Sequence, residues 1–154
     1  MEKLNVAVIG CGEFAASFVP LFQAHPYVEK VSVCDLSKEK ALDYKERFGT
    51  EVIDSFDDAI ANKDINCVAI FTERYNHARL AIASLDAGKH VYSAVPMACS
   101  VEECKEIIEA VRRNNKVYMM GETCVYYPSS MYCRKQFAEG AFGDFVFGRK
   151  GLTP

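Results

Sequence analysis

Short continuous apolar runs alternate along this chain with stretches whose apolar positions recur at helical spacing. The first run predicts a strand over residues 4–9, followed by a helix over 12–24 that Pro20 should kink or deprive of one hydrogen bond. A second strand is expected over 28–35. Ser37 then caps a helix that reaches Phe48 and is closed by Gly49. A short strand at 51–53 precedes Ser55 and Asp58, which resemble a capping box for a brief helix ending near Asn62. The run NCVAIFT over 66–72 reads as a buried strand. A helix over 76–87 ends at Gly88, and a strand over 90–93 leads into Pro96. Ser100 and Glu103 form a second box that opens a helix to about Asn114. A strand over 116–120, a helix over 128–139 and a last strand over 144–149 complete the pattern.

Strict β–α alternation implies a parallel sheet with right-handed crossovers and helices on both faces, a doubly wound α/β fold of the Rossmann kind. No internal repeat, low-complexity tract or linker interrupts it.

The first βα turn carries the chemistry. Gly10-Cys11-Gly12-Glu13-Phe14-Ala15 reads G-x-G-x-x-A, follows a predicted strand and opens a predicted helix. Asp35 stands 20 residues after Ala15, at the carboxyl end of the second strand, with Leu36 beside it. In this context the pattern is a dinucleotide fingerprint. Gly10 allows the tight turn, Gly12 lets backbone approach a pyrophosphate, and Ala15 keeps helix and sheet close. The start of a helix would add N–H groups and a positive dipole end. Asp35 would accept hydrogen bonds from ribose hydroxyls and repel a 2′-phosphate, which favours NAD over NADP; Lys38 nearby softens that preference. The plainer alternative is that the glycines only turn the chain and Asp35 only caps a helix. A methyltransferase also places an acid after its second strand, but it generally prefers a third glycine where Phe14 or Ala15 stands here.

Composition changes this picture little and narrows the partners. At 154 residues the chain is about one domain long, half hydrophobic and a quarter charged. A formal net charge of −3 and the lack of a Lys/Arg run argue against nucleic acid or an anionic membrane as partner. No apolar stretch is long enough to span a bilayer. The seven cysteines are odd in number and form no C-x-x-C, so reduced thiols and no metal site are expected; Cys11, Cys34 and Cys67 fall in or beside apolar runs. Met1 to Leu4 runs straight into a strand, from which no leader and a cytoplasmic protein are expected.

From Val68 onward the chain resembles the glucose–fructose oxidoreductase / inositol dehydrogenase / rhizopine-catabolism (Gfo/Idh/MocA) oxidoreductases. Thr72, Asn76 and His77 match that family's T-P-x-x-x-H segment, with Glu73 where proline is usual, and Ala87-Gly88-Lys89-His90-Val91 matches its A-G-K-H-V. The stretch from Pro128 to Gly148 looks like its linking helix and the turn into a second domain. The resemblance implies a dinucleotide domain over 1–124, with 125–154 as the linking helix and first strand of a truncated or absent substrate domain. It also implies NAD-dependent hydride transfer to or from a sugar, polyol or related compound, with Thr72, Asn76, His77 and Pro96 near the cofactor. Two departures stand out. The family's E-K-P, whose lysine assists proton transfer, is here Ala94-Val95-Pro96, so Val95 cannot take that acid/base role. The chain also stops at Pro154, as a fragment or as a stand-alone module, and Phe145-Val146-Phe147 would then lack a sheet unless another chain, for instance in a homo-oligomer, pairs with it.

Among the other candidates, His77 is read as holding a loop, and His25 and His90 as structural. Glu122 and Tyr126 are candidates for catalysis: Glu122 as a substitute acid/base or a capping carboxylate, Tyr126 and Tyr127 as hydrogen-bonding groups or core aromatics. Cys11, in the phosphate turn, is weighed as a thiol activated by a helix start. Two functions stay open: the cofactor half of an oxidoreductase, and a non-catalytic nucleotide-binding or regulatory module.

Overall fold

The computed structural model describes residues 3–144 together with Val146 and Phe147. It divides into two compact units, 1–121 and 122–154.

The first unit holds six strands: β1 (Leu4–Ile9), β2 (Val28–Cys34), β3 (Glu51–Val52), β4 (Cys67–Ile70), β5 (His90–Ala94) and β6 (Tyr118–Gly121). Their order across the sheet is β3-β2-β1-β4-β5-β6 and every pairing is parallel. The helices are α1 (Glu13–Ala16), α2 (Val19–Ala24), α3 (Lys38–Phe48), α4 (Phe56–Ala61), α5 (His77–Asp86) and α6 (Val101–Asn114).

The two-residue period of the strands divides the core. Val6 and Val8 of β1, with Cys67 and Ala69 of β4, join a cluster containing Ala15, Val19, Ala41 and Tyr44. Ala7 and Ile9, with Val68 and Ile70, join a second cluster with Ala59, Ala78, Leu85 and Ile107. The centre of the sheet is therefore buried on both faces, which explains why its strands read as unbroken apolar runs.

The predicted single helix over 12–24 is two helices. Pro20 falls in the first turn of α2, where its missing N–H matters least; in a continuous helix it would have left the Ala16 carbonyl without its donor. The remaining caps follow the sequence closely. Ser37 Oγ accepts from the Lys40 N–H, and Gly49 closes α3 with φ +68°. At Ser100 both halves of the capping box form. At Ser55 only one forms: its Oγ accepts from the Asp58 N–H, while the Asp58 carboxylate accepts from the hydroxyl instead of the Ser55 N–H.

The A-G-K-H-V segment has structural work. Lys89 is buried and its Nζ donates to the carbonyls of Asn62 and Ile65, at 2.6 and 2.8 Å. His90 Nδ1 accepts from the Val117 N–H, and His25 Nδ1 from the Tyr27 N–H.

The second unit contains a 3-10 turn (Cys124–Tyr126) and α7 (Pro128–Ala138), none of whose residues is buried. The predicted strand over 144–149 lies outside the described residues except for Asp144, Val146 and Phe147. Among the described residues, no helix is long and apolar enough to cross a membrane, and no three His, Cys, Asp or Glu side chains group to hold a metal ion.

Candidate dinucleotide site

In an open parallel sheet the crevice for a ligand lies beyond the carboxyl ends of the strands, where connections leave to opposite faces. Here that point lies between β1 and β4. The turn after β1 is held from both sides, since the Gly10 N–H donates to the Cys34 carbonyl and the Phe71 N–H donates to the Ile9 carbonyl, each at 2.8 Å.

The two glycines of the turn do different jobs. Gly10 has φ +98°, and a Cβ there would sit 2.7 Å from the Phe71 carbonyl oxygen. Gly10 is thus required by the protein's own backbone. Gly12 has an ordinary extended backbone, and a Cβ on it would meet nothing within 4 Å. Its missing side chain leaves open space, as expected where a ligand's phosphates come close. Ala15 is buried under the turn, while Glu13 and Phe14 are exposed.

Asp35 reaches back to this turn. Its Oδ2 accepts from the Cys11 N–H at 2.7 Å and its Oδ1 from the Ser37 N–H at 2.8 Å. Each carboxylate oxygen keeps lone-pair capacity for a further donor. The capping role and the ligand role weighed as alternatives are therefore compatible in one side chain. Leu36 beside it is fully exposed. The helix dipole expected from a helix over 12–24 is reduced, because α1 has only four residues.

Cys11 is not an activated thiol. Its side chain is buried, and burial, followed by the charge of Asp35, pushes its pKa up to about 12. That overrides the lowering expected at a helix start.

On the far side of the crevice, His77 ties two loops together. Its ring is 1 % exposed, with Nδ1 2.7 Å from the Pro96 carbonyl oxygen and Nε2 3.0 Å from that of Thr72. Thr72 and Asn76 are half-buried, Pro96 and Val95 are exposed, and the Val95–Pro96 peptide is cis.

A family model described as an oxidoreductase family with an NAD-binding Rossmann fold matches residues 4–122. The chain belongs to the Gfo/Idh/MocA family. It is 31% identical over 158 aligned residues to a glycosyl hydrolase family 109 protein of Shewanella baltica, covering 96% of this chain but 34% of that protein. Among solved structures it resembles an NAD-binding protein from Listeria innocua, with 25% identity and a TM-score of 0.88 over 93% of this chain and 42% of the other. It likewise resembles GenD2 from gentamicin A biosynthesis, solved in complex with NAD, with 26% identity and a TM-score of 0.84 over 92% and 40% of the two chains. The chain thus spans about a third of the length of the curated relative.

Within this family domain, sequence reasoning missed a row of rings. Phe14, Phe18 and Phe22 recur every four residues and pack with Phe71 and Tyr92, with centroid separations from 4.9 to 6.5 Å. The four-residue spacing was the available signal. Tyr92 in turn requires Gly121, whose Cβ would fall 2.0 Å from the Tyr92 hydroxyl.

In the second unit, the Glu122 Oε1 accepts from the Cys124 N–H at 2.8 Å, which is a capping contact. Tyr126 is 70% exposed and Tyr127 47%, so neither is the core aromatic weighed above.

Proposed function

We propose that residues 4–122 bind NAD(H) and form the cofactor half of an oxidoreductase acting on a sugar, polyol or related hydroxyl or carbonyl compound. The observation that carries this reading is the pairing of an open glycine turn with Asp35, whose carboxylate is fixed against that turn by the Cys11 N–H. Gly10, Cys11, Gly12, Glu13, Phe14 and Ala15 would take the pyrophosphate side. Asp35 would take the adenosine ribose and Leu36 the adenine, while Thr72, Asn76, His77 and Pro96 would flank the nicotinamide. Bound nicotinamide supplies hydride acceptance or donation; the protein's share is binding and orientation. A carboxylate at 35 favours NAD over NADP, because a 2′-phosphate there would meet like charge.

A sugar-like substrate for the whole polypeptide is supported by the glycoside-cleaving name of the Shewanella relative. The linking-helix reading of 125–154, a reduced cytoplasmic setting for the seven free cysteines and a homo-oligomer that covers the exposed Val146 and Phe147 belong to the same proposal. A second reading, a nucleotide-binding module without turnover, is favoured by one observation. Val95 presents an apolar, 40% exposed side chain where the resemblance places a lysine.

Titration of the chain with NADH and NADPH, followed by a sugar and polyol panel, tests both readings. Tighter NADH binding with a preference erased in Asp35→Ala supports the cofactor site; binding without turnover selects the second reading. Binding of neither nucleotide would remove both.

A further inference from the structure

We infer that Tyr44 is a positioning residue of this site, one that fixes the orientation of the Gly12–Glu13 peptide toward the cofactor's pyrophosphate. The inference rests on the NAD(H) reading above and adds a residue that the fingerprint does not contain. Tyr44 lies on α3, outside the glycine turn in sequence, and is 2% exposed. Its hydroxyl donates to the Gly12 carbonyl, which also accepts from the Ala16 N–H at 3.1 Å.

An aromatic side chain at this point of the core needs no hydroxyl to pack. The ring already lies 5.1 Å from that of Phe48 and shares a cluster with Cys11 and Ala15. Burying a hydroxyl costs free energy unless it finds a partner, and the partner found here is the phosphate turn itself. Burial pushes the hydroxyl's pKa up to about 12, so it remains a donor across the working range of pH.

The consequence follows from peptide geometry. In a planar trans peptide the C=O and N–H point in opposite directions. Holding the Gly12 carbonyl toward Tyr44 therefore turns the Glu13 N–H away from Tyr44, next to a glycine on which a Cβ would meet nothing within 4 Å. With Gly10 N–H tied to Cys34 and Cys11 N–H tied to Asp35, three successive residues of the turn are fixed from the second βα unit. Such preorganisation spares a ligand the cost of ordering the turn.

The test is Tyr44→Phe in the full chain, titrated with ADP-ribose, which carries the pyrophosphate, and with adenosine, which does not. ADP-ribose affinity is expected to fall about tenfold, the equivalent of one lost hydrogen bond, with adenosine affinity unchanged. Unchanged ADP-ribose affinity overturns the inference. An equal loss for both ligands overturns it too, since that marks a general loosening. If Tyr44→Phe does not fold, Tyr44→Met is titrated in its place and read by the same outcomes. A wild-type chain that binds no ADP-ribose brings down the cofactor reading and this inference together; a wild-type chain that binds it, with an unaffected variant, removes only the role of Tyr44.

Discussion

The two sides of the crevice are built on different principles. On the side of the glycine turn, side chains from the second βα unit hold the backbone: Asp35 takes the Cys11 N–H and Tyr44 the Gly12 carbonyl. There one group, Asp35, both orders the backbone and keeps lone pairs for a ligand, while Tyr44 orders the backbone alone. On the other side, His77 ties the Thr72 and Pro96 loops through their carbonyls, and Val95 stands exposed between scaffold and solvent. That side keeps its frame while lacking the acid/base side chain that the family resemblance leads one to expect. A frame held by several backbone contacts does not depend on the side chain at 95, whereas an acid/base step there would.

The sharpest way to break this comparison is at the two glycines. Gly10→Val should cost about 3–5 kcal/mol of stability, through strain at φ +98° and collision with the Phe71 carbonyl, measured by denaturant unfolding. Alkaline pH should come next. The thiols of Cys11 and Cys34 are pushed up to about 12 and about 11, chiefly by burial, that of Cys67 to about 11, and the Tyr44 hydroxyl to about 12. The unfolded chain then sheds these protons first, so stability is full below about pH 9 and falls as pH rises toward 12. Three of the four groups lie on the side of the glycine turn, and Cys34→Ala should flatten the decline in pH-dependent unfolding.

Removing His77 should then separate the two sides. His77→Ala leaves the carbonyl that accepts the ring N–H without its donor and opens a cavity between the two loops, at a cost of about 2 kcal/mol, and should weaken NADH more than ADP-ribose, which has no nicotinamide. Equal loss for the two ligands would mean that the loops beyond β4 and β5 do not face the nicotinamide. The smallest effect belongs to Glu13, an exposed carboxylate at the phosphate turn. Glu13→Gln should tighten NADH about twofold to threefold at low salt and less at high salt, as screening predicts.

Much of this frame was legible because local signals and tertiary demands coincide. Ser37, Gly49, Ser100 and Gly88 mark element ends through backbone chemistry that acts within a few residues. The G-x-G-x-x-A turn and Asp35 were legible for a related reason: φ +98° at Gly10 and close approach to Phe71 admit little but glycine. What escaped depends on contacts distant in sequence. The hydroxyl of Tyr44 finds Gly12 across 32 positions, and Lys89 finds Ile65 across 24. The break between α1 and α2 was half legible: Pro20 signalled it, but only packing of Phe18 and Phe22 against Phe71 and Tyr92 shows where the second helix settles. Val95 was readable as a missing function, because an aliphatic side chain carries no proton whatever its surroundings.

The most direct test of the account exploits Gly12, whose missing Cβ serves no contact within the protein. NADH is titrated calorimetrically into the wild-type chain and into Gly12→Val, with thermal midpoints recorded for both. The wild type is expected to bind and the variant not to, at unchanged midpoints. A wild type that fails to bind, or a Gly12→Val chain that binds as well as it does, would contradict the assignment of the glycine turn to the cofactor.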